Sequence, residues 1–170
     1  DSDEIPKIEK KIFLKNKNKI IVFKQKFFYY KFNLFYDLLP WFGTRACKFR
    51  NLRSPTWLRN SKYKKYPFWR LDTFFSNTKF INLNIIDDGG WHFSNLKTLD
   101  KIIEKLNSSG HHDEYVRDIE NISIIRKMIE KKQVYYNHFA DQKETNKIRE
   151  TGYDLKKIEL NLLPKYIEDN

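Results

Sequence analysis

The apolar residues of this chain fall into short runs of two different periods. From Ile20 to Phe35 the chain is dense in β-branched and aromatic residues with lysines interleaved, which predicts one long strand or two short ones. From Lys79 to Ile86, Phe80, Asn82, Asn84 and Ile86 alternate with Ile81, Leu83 and Ile85. That is a strand delivering Asp87, Asp88 and a glycine turn at its carboxyl end, where ligand loops of α/β folds sit. After Thr98 as cap, Leu99, Ile102, Ile103 and Leu106 recur at i, i+3, i+4 and i+7, the stripe of an amphipathic helix. Ser108-Ser109-Gly110 ends it. A second helix starts at Asp113 or Asp118 and runs to Lys132, with Ile119, Ile122, Ile125, Met128 and Ile129 inward. Shorter signals predict a helix over Ile8 to Leu14 and a loop over Asp37 to Thr44, which holds Pro40 and Gly43. Ser54-Pro55 reads as an N-cap with proline at the first helical position, opening a helix from Thr56 to Asn60. The tail offers a strand around Ile158 to Leu160 and a last turn after Pro164. Strands precede and alternate with helices, so the class is α/β.

The length of 170 residues fits one domain, and 40% apolar with 16% aromatic content supports a folded core. No apolar run nears the roughly 20 residues that span a bilayer. The first residue is Asp1 rather than methionine, so the chain reads as a fragment or processed piece. Cys47 is the only cysteine, which excludes an intrachain disulfide and a cysteine zinc cluster. The net charge is +11, and from Lys7 to Arg70 the only acids are Glu9 and Asp37. Part of that charge reflects the lysine-rich, glycine-poor bias of an AT-rich genome. The rest would attract an anion, and a nucleotide diphosphate suits it as well as a nucleic-acid backbone.

Two segments carry candidate chemistry. In Asp1-Ser2-Asp3-Glu4-Ile5-Pro6, Pro6 restricts Ile5 to extended geometry. Asp1 and Asp3 then alternate onto one face at a strand end, where both can reach a Mn²⁺ or Mg²⁺ ion. The competing reading is a solvated acidic turn before a helix. In Gly89-Gly90-Trp91-His92-Phe93-Ser94, the glycines free the backbone for a turn and for close approach to a ligand. Trp91 offers a flat face for a sugar ring, His92 a donor to a phosphate or hydroxyl, and Ser94 a further hydroxyl. Core packing, a structural histidine and a cap are the plain alternatives. Arg45, Arg50, Arg53, Arg59 and Arg70 are the candidate diphosphate partners, Arg59 preferred.

With these motifs the sequence resembles glycosyltransferase family 17, the β-1,4-N-acetylglucosaminyltransferases. The landmarks run in order: Asp1 to Pro6, then Phe28-Tyr29-Tyr30 with Asn33, then Trp41-Phe42-Gly43-Thr44. After Arg59 come Gly90-Trp91-His92-Phe93-Ser94, Ser109-Gly110-His111-His112-Asp113-Glu114, and Leu163-Pro164. The likeness spans essentially the whole chain but only the carboxyl-terminal part of a family member. It differs in having Gly110 and a second histidine where the family favours a large aromatic; His112 aligns best, leaving Glu114 two positions later.

The resemblance implies a GT-A-like nucleotide-sugar transferase fold lacking its N-terminal strands, and a metal-dependent, inverting transfer. The sugar would be N-acetylglucosamine or a relative, moved from a UDP-sugar to a glycan hydroxyl. It implies Asp1 and Asp3 as metal ligands, and Asp1, Asp3, Glu4 and Arg59 at the donor. Trp41, Gly90, Trp91, His92, Ser94 and His112 would meet substrate, with Glu114, then Asp88 or Asp87, as general base. Asp113 and Glu114 could equally open a helix, and Asp88 could be a turn residue. A soluble intracellular enzyme is expected, or a Golgi membrane protein if an upstream anchor exists. Two other functions compete: a basic, aromatic-rich nucleic-acid-binding module, and an inactive truncated relative. The first is disfavoured because the aromatics follow strand patterns and no RNA-recognition or zinc-finger signature occurs.

Overall fold

The computed structural model describes residues 2–17, 19–108, 119–139 and 147–169. It is a mixed α/β protein that divides into two compact units. One comprises Asp1–Phe27 with Leu38–His92, the other Phe28–Asp37 with Phe93–Asn170.

In the first unit lie β1 (Glu4–Pro6), α1 (Lys10–Lys15), β2 (Ile20–Phe23) and the start of β3 (Gln25–Tyr29). The end of β4 (Leu34–Trp41), β5 (Arg45–Cys47), α2 (Pro55–Asn60), α3 (Asp72–Phe75), β6 (Leu83–Ile86) and the start of β7 (Gly90–Ser94) complete it. All four residues of β2 are buried, as a central strand of β-branched and aromatic residues should be. It pairs antiparallel with β5 (Ile20↔Cys47, Ile21↔Ala46) and parallel with β6 (Ile20↔Leu83 to Phe23↔Ile86). Ile20, Val22, Phe80 and Leu83 form the core here, with Trp57 and Leu58 of α2 against them. As predicted, Ser54 caps α2: its Oγ accepts the Trp57 N–H at 3.0 Å, with Pro55 opening the helix.

Where β2 gives way to β3 and β6 to β7, the two chain segments lock together. The Lys24 N–H donates to Ile86 O at 3.0 Å, and the Gly89 N–H to Lys24 O at 2.9 Å. A Cβ on Gly89 would lie 2.7 Å from Lys24 N, so only glycine allows this crossing. Gly90, at φ +114°, backs onto Ile5 and Lys7 in the same way. The close approach these glycines provide is therefore to the chain's own backbone. The expected substrate loop is instead strand β7, in which the β-favouring Trp91 and Phe93 flank His92.

The second unit holds α4 (Leu99–Ser108), α5 (Ile119–Glu130), β8 (Gln133–Tyr136), β9 (Ile148–Asp154), β10 (Lys156–Lys157) and α6 (Lys165–Glu168). The predicted α4 stripe is buried as read: Ile102, Ile103 and Leu106 meet Ile125, Met128, Ile129 and Tyr135 in one cluster. Beside it, β8 and β9 pair antiparallel.

Two further local expectations fail. The segment expected as a loop over Asp37 to Thr44 is strand to Trp41, through Pro40. Proline is tolerated in a strand where its missing N–H is not called on, and on the β10 side the ladder reaches only Leu34 and Phe35. The tail strand is Lys156–Lys157, and Leu160–Leu162 is a 3₁₀ turn, because pairing to β4 rather than local apolarity sets its position. Strands β5, β8 and β9 were not expected, being too short or too polar to show a period.

Candidate functional site

The opening acidic motif and the glycine–tryptophan–histidine motif meet in the first unit. Strands β1 and β7 pair antiparallel, Glu4 opposite His92, Ile5 opposite Trp91 and Pro6 opposite Gly90. Directly opposed residues of an antiparallel pair share a face, so Glu4 and His92 project together while Ile5 and Trp91 project on the other side.

On the Glu4–His92 face the side chains interlock. Trp41 stacks on the His92 ring with centroids 4.3 Å apart and planes 12° from parallel. Phe27 tilts against both rings, at 5.3 Å from Trp41 and 4.8 Å from His92. Trp41 Nε1–H donates to Glu4 Oε1 at 2.9 Å, and the Thr44 hydroxyl donates to Glu4 Oε2 at 2.7 Å. Both Glu4 oxygens are thus engaged, and the carboxylate is fixed. Gly43 lies underneath: a Cβ there would come within 2.0 Å of Glu4 Oε1 and 2.2 Å of Trp41 Nε1. Only glycine leaves room for the clamp.

His92 is buried, and its Nδ1 makes no hydrogen bond. Burial pushes the imidazole pKa below its usual value, opposed by the Asp3 and Glu4 carboxylates. Asp3 Oδ1 lies 4.0 Å from that nitrogen. One atom each from Asp3, Glu4 and His92 falls within 4.8 Å of the others. Each of the three offers one atom that could ligate a cation, and exposed acidic groups such as Asp3 are common without one.

Beside the clamp is a cavity of about 250 Å³ lined by Glu4, Gly43, Thr44, Arg45, Pro55, Leu58 and Arg59. The Arg45 guanidinium donates through Nε to Ser61 O at 3.0 Å and through an NH1 hydrogen to Gly43 O at 2.6 Å. Burial lowers its pKa, and arginine still remains charged in proteins. Of the five arginines singled out by sequence, two line this cavity. Arg53 instead bonds Asn77 at 2.6 Å and Arg70 bonds Asp72.

The other predicted residues are placed as follows. Asp88 meets Lys7 at 2.5 Å and Lys26 at 3.6 Å, and the Lys7 hydrogen bond holds its pKa below the usual carboxylate value. Asp87 meets Lys24 at 3.0 Å. Trp91 is half-buried, and its carbonyl accepts from Gln25 Nε2 at 3.3 Å. Ser94 belongs to the second unit, where its carbonyl accepts the Tyr30 N–H at 3.0 Å. Asp1, His112 and Glu114 lie outside the described residues. Nothing local marks Thr44 as an anchor of Glu4, because a hydroxyl 40 positions away is matched to a carboxylate only by folding. Comparison with family models, curated proteins and solved structures finds no match.

Proposed function

We infer that the chain carries the donor-binding part of a family-17-like glycosyltransferase. It would move N-acetylglucosamine or a related sugar, with inversion, from a UDP-sugar to a glycan hydroxyl on a GT-A-like fold. The observation that carries this reading is the Glu4↔His92 register, which joins the two motifs of the resemblance on one face of one sheet.

Asp3, together with Asp1, would hold the Mn²⁺ or Mg²⁺ ion, with the His92 nitrogen facing the same space. The ion, when bound, neutralises charge on the departing diphosphate. Glu4 is fixed by Trp41 and Thr44 and so orients the end of β1 that carries Asp3. Arg59, with the guanidinium hydrogens that Arg45 does not give to Ser61 and Gly43, would supply cationic donors along the cavity for a phosphate. A base must accept the acceptor hydroxyl's proton. The resemblance puts Glu114 first for that role, with Asp87 as an alternative; Asp88 is the weaker one because Lys7 stabilises its ionised form.

Calorimetric titration of UDP-N-acetylglucosamine with and without Mn²⁺ tests the proposal. Metal-dependent binding that Asp3→Asn weakens at least about tenfold is expected, since it removes a charged ligand. No response to the sugar nucleotide, together with steeply salt-dependent affinity for single-stranded RNA, would overturn it.

A further inference from the structure

Between Pro67 and Ser76 the first unit turns its apolar side chains outward. Phe68, Trp69, Leu71, Phe74 and Phe75 are each between 68% and 90% exposed, while Phe80 and Leu83 nearby are buried. Apolar groups this dense on a surface mark contact with something apolar. The segment is held in this form by its own hydrogen bonds. The Arg70 N–H donates to Pro67 O at 3.2 Å, the Thr73 N–H to Arg70 O at 3.1 Å, and the Phe74 N–H to Leu71 O at 3.1 Å. Thr73 is buried, and its hydroxyl donates to Arg70 O at 2.6 Å. Asp72 binds Arg70 Nε at 2.7 Å and Lys79 Nζ at 2.8 Å, and both cations lie over the Tyr66 ring. With Thr73 and Asp72 pinned, the five apolar side chains are kept out of the core.

The charge around them has one sign. From Lys62 to Lys79 the only acid is Asp72, already paired twice, and Lys62, Lys64 and Lys65 are exposed. We propose that this segment is a membrane-surface anchor. It seats Trp69 and its neighbouring phenylalanines in the interface of an anionic bilayer, with the three lysines at the headgroups. Tryptophan and phenylalanine beside lysine is the composition of interfacial segments, and clustered lysines draw anionic lipid. The contact is peripheral, since no described helix is long and apolar enough to cross a membrane. The inference stands apart from the glycosyltransfer reading, because it rests on none of the residues at the clamp.

Sedimentation of the chain with phosphatidylcholine vesicles, with and without phosphatidylserine, tests it. Binding should be at least about tenfold stronger to the anionic vesicles and should weaken as salt is added. The double variant Trp69→Ser with Phe75→Ser should lose at least about tenfold in vesicle binding, with its melting temperature unchanged because both side chains are exposed. Lys64→Glu with Lys65→Glu should abolish the preference for phosphatidylserine. Absence of vesicle binding, or full binding by the serine variant, would overturn the proposal. So would self-association without lipid that the serine variant abolishes, which makes the surface a contact between copies. Vesicle-independent RNA binding that the same variant abolishes would overturn it as well.

Discussion

Gly43→Ala is the most direct probe of the clamp. The added Cβ would stand 2.0 Å from Glu4 Oε1 and 2.2 Å from Trp41 Nε1, where ordinary contact is 3.4–4 Å. Both side chains, or the Gly43 backbone between them, must move by more than an ångström. Trp41 is held by its stack on His92 and by Phe27, and the Glu4 backbone by its pairing with β7. The Glu4 carboxylate therefore swings away and the Trp41 ring is pushed against its neighbours, so the Glu4 bonds to Trp41 and Thr44 are lost. A hydrogen bond to a charged group contributes about 1.5–3 kcal/mol. This group is partly exposed, so the lower end applies, and water recovers some of the loss. A cost of about 2–4 kcal/mol follows, in line with typical overpacking. At this chain length that lowers the melting temperature by roughly 5–15 °C. Urea denaturation of wild type, Gly43→Ala, Trp41→Phe and the double variant measures it. Both single changes break the same Trp41–Glu4 bond, so the double variant should cost clearly less than the sum. A Gly43→Ala effect below about 0.5 kcal/mol, within the range of neutral surface changes, would refute the clamp; strict additivity would too.

Lys132 follows α5 at φ +59°, a left-handed position that favours glycine. Lys132→Gly should raise stability by roughly 0.5–1 kcal/mol, read as a higher urea midpoint. Arg70 and then Lys79 lower the Asp72 pKa to about 2, from 3.8. The stabilising contribution of that carboxylate is fully present above the unfolded value near 4 and is lost as pH falls toward 2. Asp72→Asn should flatten the pH dependence of stability in that window, and carboxyl NMR of the wild type should show the low titration directly. Ile125 is fully buried between α4, α5 and β8. Ile125→Ala should cost about 2–5 kcal/mol in a denaturant titration.

Helices α2 and α4 and the central strand were readable because their signals are local. The stripe Leu99–Ile102–Ile103–Leu106, the Ser54-Pro55 cap and the unbroken Ile20–Phe23 run each specify one element from neighbouring residues. The two motifs at the site were also visible as residue types, and so was the need for glycine at 89 and 90. What those glycines approach was decided elsewhere in the chain, by Lys24 and by Ile5. Likewise Pro40 signalled a break, and pairing overrode it. Glu4 meets His92 across 88 positions and Trp41 across 37. No period or propensity encodes such matches, because they come from register between strands and from the packing of rings that only folding brings together.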